Sequence, residues 1–152
     1  MDRIADYRRW FAAFEACVAD DQWGRLEALL DPDAVYEVHG LPTPQRVVGR
    51  AAVIAGFARS IRGFDRRLAQ RFQQCTATRG DGPDRVLAYT YTRYEHPGLP
   101  SLGFPCREES QWREGRLWRL TNTYEPQWVE TAELFDWFGR HGPALGLDPS
   151  YA

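Results

Sequence analysis

Lysine is absent from this chain: all 19 of its basic side chains are arginine. Lysine-type Schiff-base chemistry needs a side-chain amine, so aldolases of that kind and pyridoxal enzymes are excluded unless the N-terminus substitutes. The simplest origin of the skew is genome composition. Cysteine is scarce, and Cys17, Cys75 and Cys106 are odd in number and far apart. That spacing argues against a disulfide framework and against a zinc knuckle, and it fits a reducing cytoplasm. No apolar run approaches the roughly 18 residues of a membrane span, and the opening MDRIADYRRW has no apolar signal core. A cytoplasmic protein with no membrane partner is expected. The net charge of −2 gives no general attraction to nucleic acid. Arg59, Arg62, Arg66, Arg67 and Arg71 gather in one stretch; a solvated face explains them, and the rim of an anionic-ligand site is the alternative. There is no glycine-rich phosphate loop, no G-x-S-x-G elbow and no metal-ligand spacing, so neither cofactor nor metal is expected.

Apolar and aromatic residues are plentiful. At 43% hydrophobic and 14% aromatic over 152 residues, the chain suits one compact domain that buries roughly 70% of its unfolded surface without a covalent staple. That domain is expected over 1–142, followed by a tail over 143–152. Ile4, Tyr7, Phe11, Phe14 and Val18 recur at helical spacing, so a first helix is expected through about Ala19. Asp20 and Asp21 can cap a second helix carrying Trp23, Leu26, Leu29 and Leu30, ended by Asp31-Pro32-Asp33. Ala34 to Val38 reads as a strand, a proline-rich crossing follows, and Gly49-Arg50 opens a helix carrying Val53, Ile54, Phe57 and Ile61. The period then changes. Leu68–Thr78, Arg85–His96, Phe104–Trp112 and Leu117–Tyr124 read as strands, separated by turn-rich segments that suit an antiparallel meander. Trp128, Leu134, Phe135 and Phe138 suggest a closing helix. Helices first and strands afterwards give an α+β fold.

The spelling DDQWGRLEALLDPDAVYEV followed by VGRAAVIAGFARSI resembles the nuclear transport factor 2-like superfamily, which includes SnoaL-like cyclases, ketosteroid isomerases and limonene epoxide hydrolases. The resemblance covers nearly the whole chain. It implies a cone-shaped half-barrel: a curved antiparallel sheet wrapped around N-terminal helices, with a C-terminal helix, holding a small apolar molecule. Polar residues on the inward strand faces are then the candidates for chemistry.

Strand alternation sorts those residues. Tyr36 and Val38 share one face of the first strand, Glu37 and His39 the other, with Tyr36 inward. The resemblance sets Tyr36 where the hydrolases keep a tyrosine that helps hold the attacking water. Val38, at the position of the hydrolases' asparagine and of the isomerases' catalytic base, cannot accept a proton. Phe14 stands where the isomerases have a tyrosine. Cys106, Glu108, Ser110 and Trp112 alternate on one face, and Glu108 matches the isomerases' protonated aspartate. Glu108 facing an aromatic pocket would be desolvated and its pKa raised, as a proton shuttle near neutrality requires; the alternative turns Glu109 inward, or pairs either with an arginine. On the last strand Trp118, Leu120, Asn122 and Tyr124 alternate. Asn122 falls on the hydrolases' base aspartate and, unable to deprotonate water, reads with Tyr124 as substrate-positioning. Two registers are open for the middle strand. In one, Arg93 and Glu95 imitate the hydrolases' Arg-x-Asp and point inward with Tyr89 and Tyr91; in the other, Thr90 and Thr92 do. His39 is a surface residue or, with an ordinary pKa of about 6.5, a general acid or base at the cavity mouth.

The expected function is that of a cofactor-independent general acid/base enzyme, a lyase, dehydratase, isomerase or cyclase, acting on a small hydrophobic, aromatic or cyclic molecule. Glu108, Tyr36, His39, Arg93 and Glu95 are its candidate catalytic residues. Phe14, Phe57, Tyr89, Tyr91, Trp112, Asn122 and Tyr124 are the candidate substrate contacts. Epoxide hydrolysis of the limonene type is the alternative within enzymes, and a ligand-binding or protein-interaction module the alternative outside them. The resemblance also implies a homodimer.

Overall fold

The computed structural model describes residues 2–41 and 45–151; much of the proline-rich crossing, Pro42 to Pro44, lies outside them. Among the described residues there are three α-helices and six strands, four of the strands running consecutively after the second helix as the change of period suggests. Helix α1 (Arg3–Asp20) starts where the Asp2 carboxylate accepts from the backbone N–H groups of Ile4 and Ala5, satisfying two of the donors a helix start leaves bare. It ends at Asp21, which takes the left-handed conformation at φ 63°. Asp21 therefore closes the first helix rather than opening a second. Its carboxylate accepts from the Trp23 indole at 2.6 Å and from Arg62 at 3.0 Å.

The expected second helix is a single 3-10 turn, Trp23–Leu26. Its apolar period is short, Gly24 interrupts it, and a lone turn has no helical length over which to recover its nucleation cost. The chain then enters β1 (Leu30–His39) directly, so Asp31-Pro32-Asp33 sits within a strand. Pairing with the last strand is irregular between Leu30 and Val35, where Pro32 and Asp33 stay exposed. Asp31 is buried and holds Arg113 at 2.6 Å, which keeps its carboxyl below the usual range. A short strand not foreseen, β2 (Gln45–Val48), pairs back on β1.

Helix α2 (Arg50–Gly63) leads through a second 3-10 turn to the meander: β3 (Gln70–Gly80), β4 (Arg85–Glu95), β5 (Leu102–Arg113) and β6 (Arg116–Thr123). Sheet order is β2-β1-β6-β5-β4-β3, with β1 parallel to β6 and every other pair antiparallel. The curved sheet is unclosed, with β2 and β3 at its edges, and wraps around α1 and α2: this is the α+β half-barrel that the sequence implies. Tyr7, Trp10 and Cys17 of α1 and Val53, Phe57 and Ile61 of α2 meet Tyr36, Val38, Val86, Ala88, Trp112 and Leu120 from the sheet in one core. Helix α3 (Val129–Leu145) lies against β5 and closes a second core with Phe64, Tyr94, Phe104, Leu134 and Trp137. It runs further than the sequence suggests, carrying Pro143 in its last turn and ending at the left-handed Gly146. Residues 147–151 then fold back along α2, with Leu147 buried in the second core. Among the described residues, no helix is long and apolar enough to cross a membrane.

Candidate active site

Alternation along the strands builds the inner wall. From β4 it takes Val86, Ala88, Thr90, Thr92 and Tyr94, from β5 Cys106, Glu108, Ser110 and Trp112, from β6 Leu120 and Asn122, and from β1 Tyr36 and Val38. Interstrand register sets Ala88, Glu108, Asn122 and Val38 in one row across four strands. Glu108 and Asn122 are direct cross-strand neighbours, about 5 Å apart between Cβ atoms.

Glu108 faces inward and is buried. The Tyr7 hydroxyl of α1 donates to its Oε2 at 2.8 Å, and the Thr90 hydroxyl donates to Oε1 at 3.2 Å. Tyr7 reaches it because the apolar stripe of α1 lies on the sheet, with Tyr7 and Trp10 on the buried side. Among the described residues, no arginine touches the carboxyl. Burial raises its pKa, the Glu15 charge adds to the rise, and the two hydroxyls and the more distant Arg71 oppose it. Burial, and after it the same carboxyl, pushes the Tyr7 phenol upward. Two hydroxyl donors hold an otherwise desolvated carboxyl in place and offset only part of the cost of its charge.

Beside it, the Asn122 amide donates to the Tyr36 hydroxyl at 3.2 Å, while its Oδ1 is buried with no hydrogen-bond partner among the described residues. A buried acceptor left bare costs about 1–3 kcal/mol, so it offers a place for a ligand donor. The Tyr36 ring packs on Phe57 at 4.8 Å between centroids, Phe57 on Phe14 at 5.3 Å, and Tyr124 on Phe104 at 5.8 Å. Trp112 is buried in the same core, its indole N–H donating to the Ser110 hydroxyl at 3.1 Å. Six expected residues therefore share the interior with Glu108: Tyr36, Phe14, Phe57, Trp112, Asn122 and Tyr124.

The remaining expected residues lie elsewhere. Of the two registers open for β4, the one with Thr90 and Thr92 inward is present. Tyr89, Tyr91, Arg93 and Glu95 consequently face out. Arg93 bonds Glu95 at 2.7 Å and covers the exposed Phe72 ring at 4.5 Å. Tyr89 and Tyr91 line a shallow outer groove of about 600 Å³ with Pro105, Trp128 and Glu130. His39 is 53% exposed on the outer face of β1, 3.7 Å from Glu37. These placements follow from alternation: a side chain one position from an inward residue points through the opposite face. Trp118 is displaced for another reason. The ladder shifts between Gln111 and Trp112, so that Leu117 takes the inward place and Trp118 lies under the Arg113 guanidinium at 5.7 Å. Replacing the exposed pair, Arg93→Ala with Glu95→Gln, is expected to change stability by less than about 1 kcal/mol. Turnover of any substrate should stay within about twofold of the parent, measured by denaturant unfolding and initial rates.

A second inward carboxyl escaped the sequence reading. Asp65, in the turn after α2, accepts from the Tyr94 hydroxyl at 2.6 Å and from Arg71 at 2.8 Å, and Arg71 also clasps Glu15 at 2.6 and 3.0 Å. Burial raises the Asp65 pKa against the pull of Arg71. Arg71 is thus an interior residue rather than part of a solvated face. Alternation of Arg71, Gln73 and Cys75 along β3 was the available signal. Among the described residues, no three His, Cys, Asp or Glu side chains cluster in a way that could hold a metal ion.

No protein-family model and no curated protein sequence matches the chain. Solved structures do. TerC co-crystallised with polyporic acid superimposes with a TM-score of 0.63 at 14% identity, covering 88% of this chain and 98% of that one. A putative SnoaL-like polyketide cyclase from Jannaschia sp. CCS1 gives 0.62 at 16% identity, over 78% and 82%. An LEH-like epoxide hydrolase of M. tuberculosis gives 0.58 at 19%, over 93% and 95%. At such identities the likeness is one of fold. With the half-barrel and its order of elements, it shows that this chain has the nuclear transport factor 2-like fold that SnoaL-like cyclases share.

Proposed function

We propose that the protein is a cofactor-independent acid/base enzyme, of the lyase, isomerase or cyclase kind, acting on a small hydrophobic molecule that is aromatic or cyclic. The observation that carries this reading is Glu108: a buried carboxyl with no cation in contact among the described residues, held by two hydroxyls and adjacent to the bare acceptor of Asn122. A carboxyl whose pKa is raised toward neutrality exchanges a proton with carbon or oxygen acids more readily than a solvated one. In this scheme ionised Glu108 takes a proton from a substrate carbon and returns it to another atom. Asn122 Oδ1 accepts from a substrate hydroxyl and fixes its orientation. Tyr7 and Thr90 favour the ionised state and keep the carboxyl aimed. Tyr36, Phe57 and Tyr124 supply ring contacts. The fold neighbours lend support, since they include two putative polyketide cyclases and a protein co-crystallised with polyporic acid. The epoxide-hydrolase alternative would use Arg93 and Glu95, which stand outside.

The reading is tested without knowing the substrate. A panel of small cyclic ketones, incubated with the protein in heavy water and followed by proton NMR, should show enzyme-dependent loss of the signals α to the carbonyl. Exchange no faster than in buffer across the whole panel would remove the proposal.

A further inference from the structure

The segment after α3 makes contacts that a trailing end does not need. Leu147 N–H donates to Gly142 O, and Asp148 N–H to the carbonyl of Gly63 at the end of α2, both at 3.0 Å. One turn earlier on α2, the Ser60 hydroxyl donates to Pro149 O at 3.2 Å. The Tyr151 N–H donates to the Gln45 side chain of β2 at 2.8 Å. These bonds deliver the Tyr151 ring against Tyr36, 4.8 Å between centroids and inclined 60°, and edge-on to Phe57 at 6.3 Å. Its hydroxyl interacts with those of Tyr36 and Ser60. Tyr151 is only partly buried, so the ring stands at the rim of the interior. Behind it Tyr36 leads to Asn122, and Asn122 to Glu108.

Glycines on α2 allow this approach. A Cβ on Gly63 would stand 2.2 Å from Asp148 O, and one on Gly56 would stand 2.7 Å from Tyr151 O. Both obstacles are backbone atoms, which cannot rotate aside, so a side chain at either position forces the segment to shift away from the helix. Helical interiors otherwise disfavour glycine.

We propose that residues 147–151 are a displaceable cover at the rim of the interior beside Tyr36 and Phe57, and that the Tyr151 phenol marks a subsite for a phenolic ring of the ligand, which enters by displacing it. The site suits that chemistry: two aromatic rings flank the Tyr151 ring in tilted and edge contacts, and two hydroxyls interact with its oxygen. This deepens the acid/base reading by naming a substrate class, and rests on it only for the chemical step after binding. Self-occupancy reduces apparent affinity in proportion to the fraction of molecules in which the segment is displaced.

The probe is p-cresol, which is the tyrosine side chain itself, with toluene as the ring without the hydroxyl. Binding is measured by calorimetry on the full chain, on Gly56→Ala and on Tyr151→Ala. The first variant pushes the Tyr151 backbone away from α2 while placing the better helix former there; the second leaves the backbone bonds and empties the subsite. Each is expected to bind p-cresol at least tenfold more tightly than the parent, and toluene several-fold more weakly than p-cresol. Equal p-cresol affinity in all three proteins, or toluene binding as well as p-cresol, overturns the proposal. The same titrations in Glu108→Gln separate the two readings, because the affinity gain from Gly56→Ala should persist there whether or not Glu108 transfers protons. Its disappearance in that background would also count against a subsite at the rim.

Discussion

Glu108→Gln is expected to fold, to keep its place beside Tyr7 and Thr90, and to lose about 10²–10⁴-fold in turnover, the usual contribution of a positioned acid or base. The amide is nearly isosteric and its oxygen can still accept from the Tyr7 hydroxyl, so the loss should fall on kcat more than on binding. A pH profile separates this from a packing effect. The limb of the wild-type rate that belongs to Glu108 should lie above the ordinary carboxylate range, since burial raises that pKa, and it should vanish in the variant. Stability carries the same signature with a definite sign. A carboxyl whose folded pKa exceeds its unfolded value stabilises the fold fully below the unfolded value, and that contribution is lost as pH rises through the folded one. Glutamine does not titrate. The melting temperature of Glu108→Gln relative to wild type should therefore climb as pH rises above the ordinary carboxylate range. A flat difference would mean that the carboxyl is solvated in the folded protein, and would sink its proposed role.

Phe57→Ala should have the largest effect on stability. Phe57 is 2% exposed and touches the Trp10, Phe14, Tyr36 and Tyr151 rings at 5.9, 5.3, 4.8 and 6.3 Å between centroids. Truncating an aromatic in such a core costs about 3–5 kcal/mol, the upper figure applying where the surroundings cannot collapse. Four ring neighbours drawn from three different elements favour the upper part of that range. Denaturant unfolding should show the loss at an unchanged m-value, with a drop in melting temperature of roughly 10 °C. A cost under about 1 kcal/mol would mean that the rings close over the vacancy, and that the aromatic cluster is plastic rather than fixed.

How far the sequence disclosed this molecule depended on whether a local period recorded the feature. The β3–β6 meander was legible because alternation and turn residues agreed in every hairpin. Glu108 was legible for the same reason, as one of four inward residues at two-residue spacing on β5. Trp23 to Leu30 misled because an apolar period serves a helix or a buried turn and strand equally well, and only tertiary packing decides between them. Arg93 and Glu95 misled through spelling, since a motif says nothing about which face a strand presents. Asp65, Arg71 and Tyr94 were invisible as a group: they come from a turn and two strands, and nothing local marks their meeting. Tyr151 was hidden by its setting in a polar, proline- and glycine-containing stretch that has no period at all.

The parallel contact between β1 and β6 bears on how the protein is born. Val35 to His39 find their partners at Arg119 to Thr123, more than eighty residues later in the chain, so the sheet cannot complete its middle until the last strand has been made. At synthesis rates of about 5–20 residues per second, β1 waits on the order of ten seconds for its partner. Through that interval Tyr36 and Val38 have only β2 and the helices to shield them. Such long-range pairing slows folding and leaves strand edges open to other chains. Nascent chains of this protein should accordingly draw on holding chaperones until β6 clears the ribosome, and a circular permutant that begins at β6 and brings it next to β1 should fold faster without changing the finished sheet.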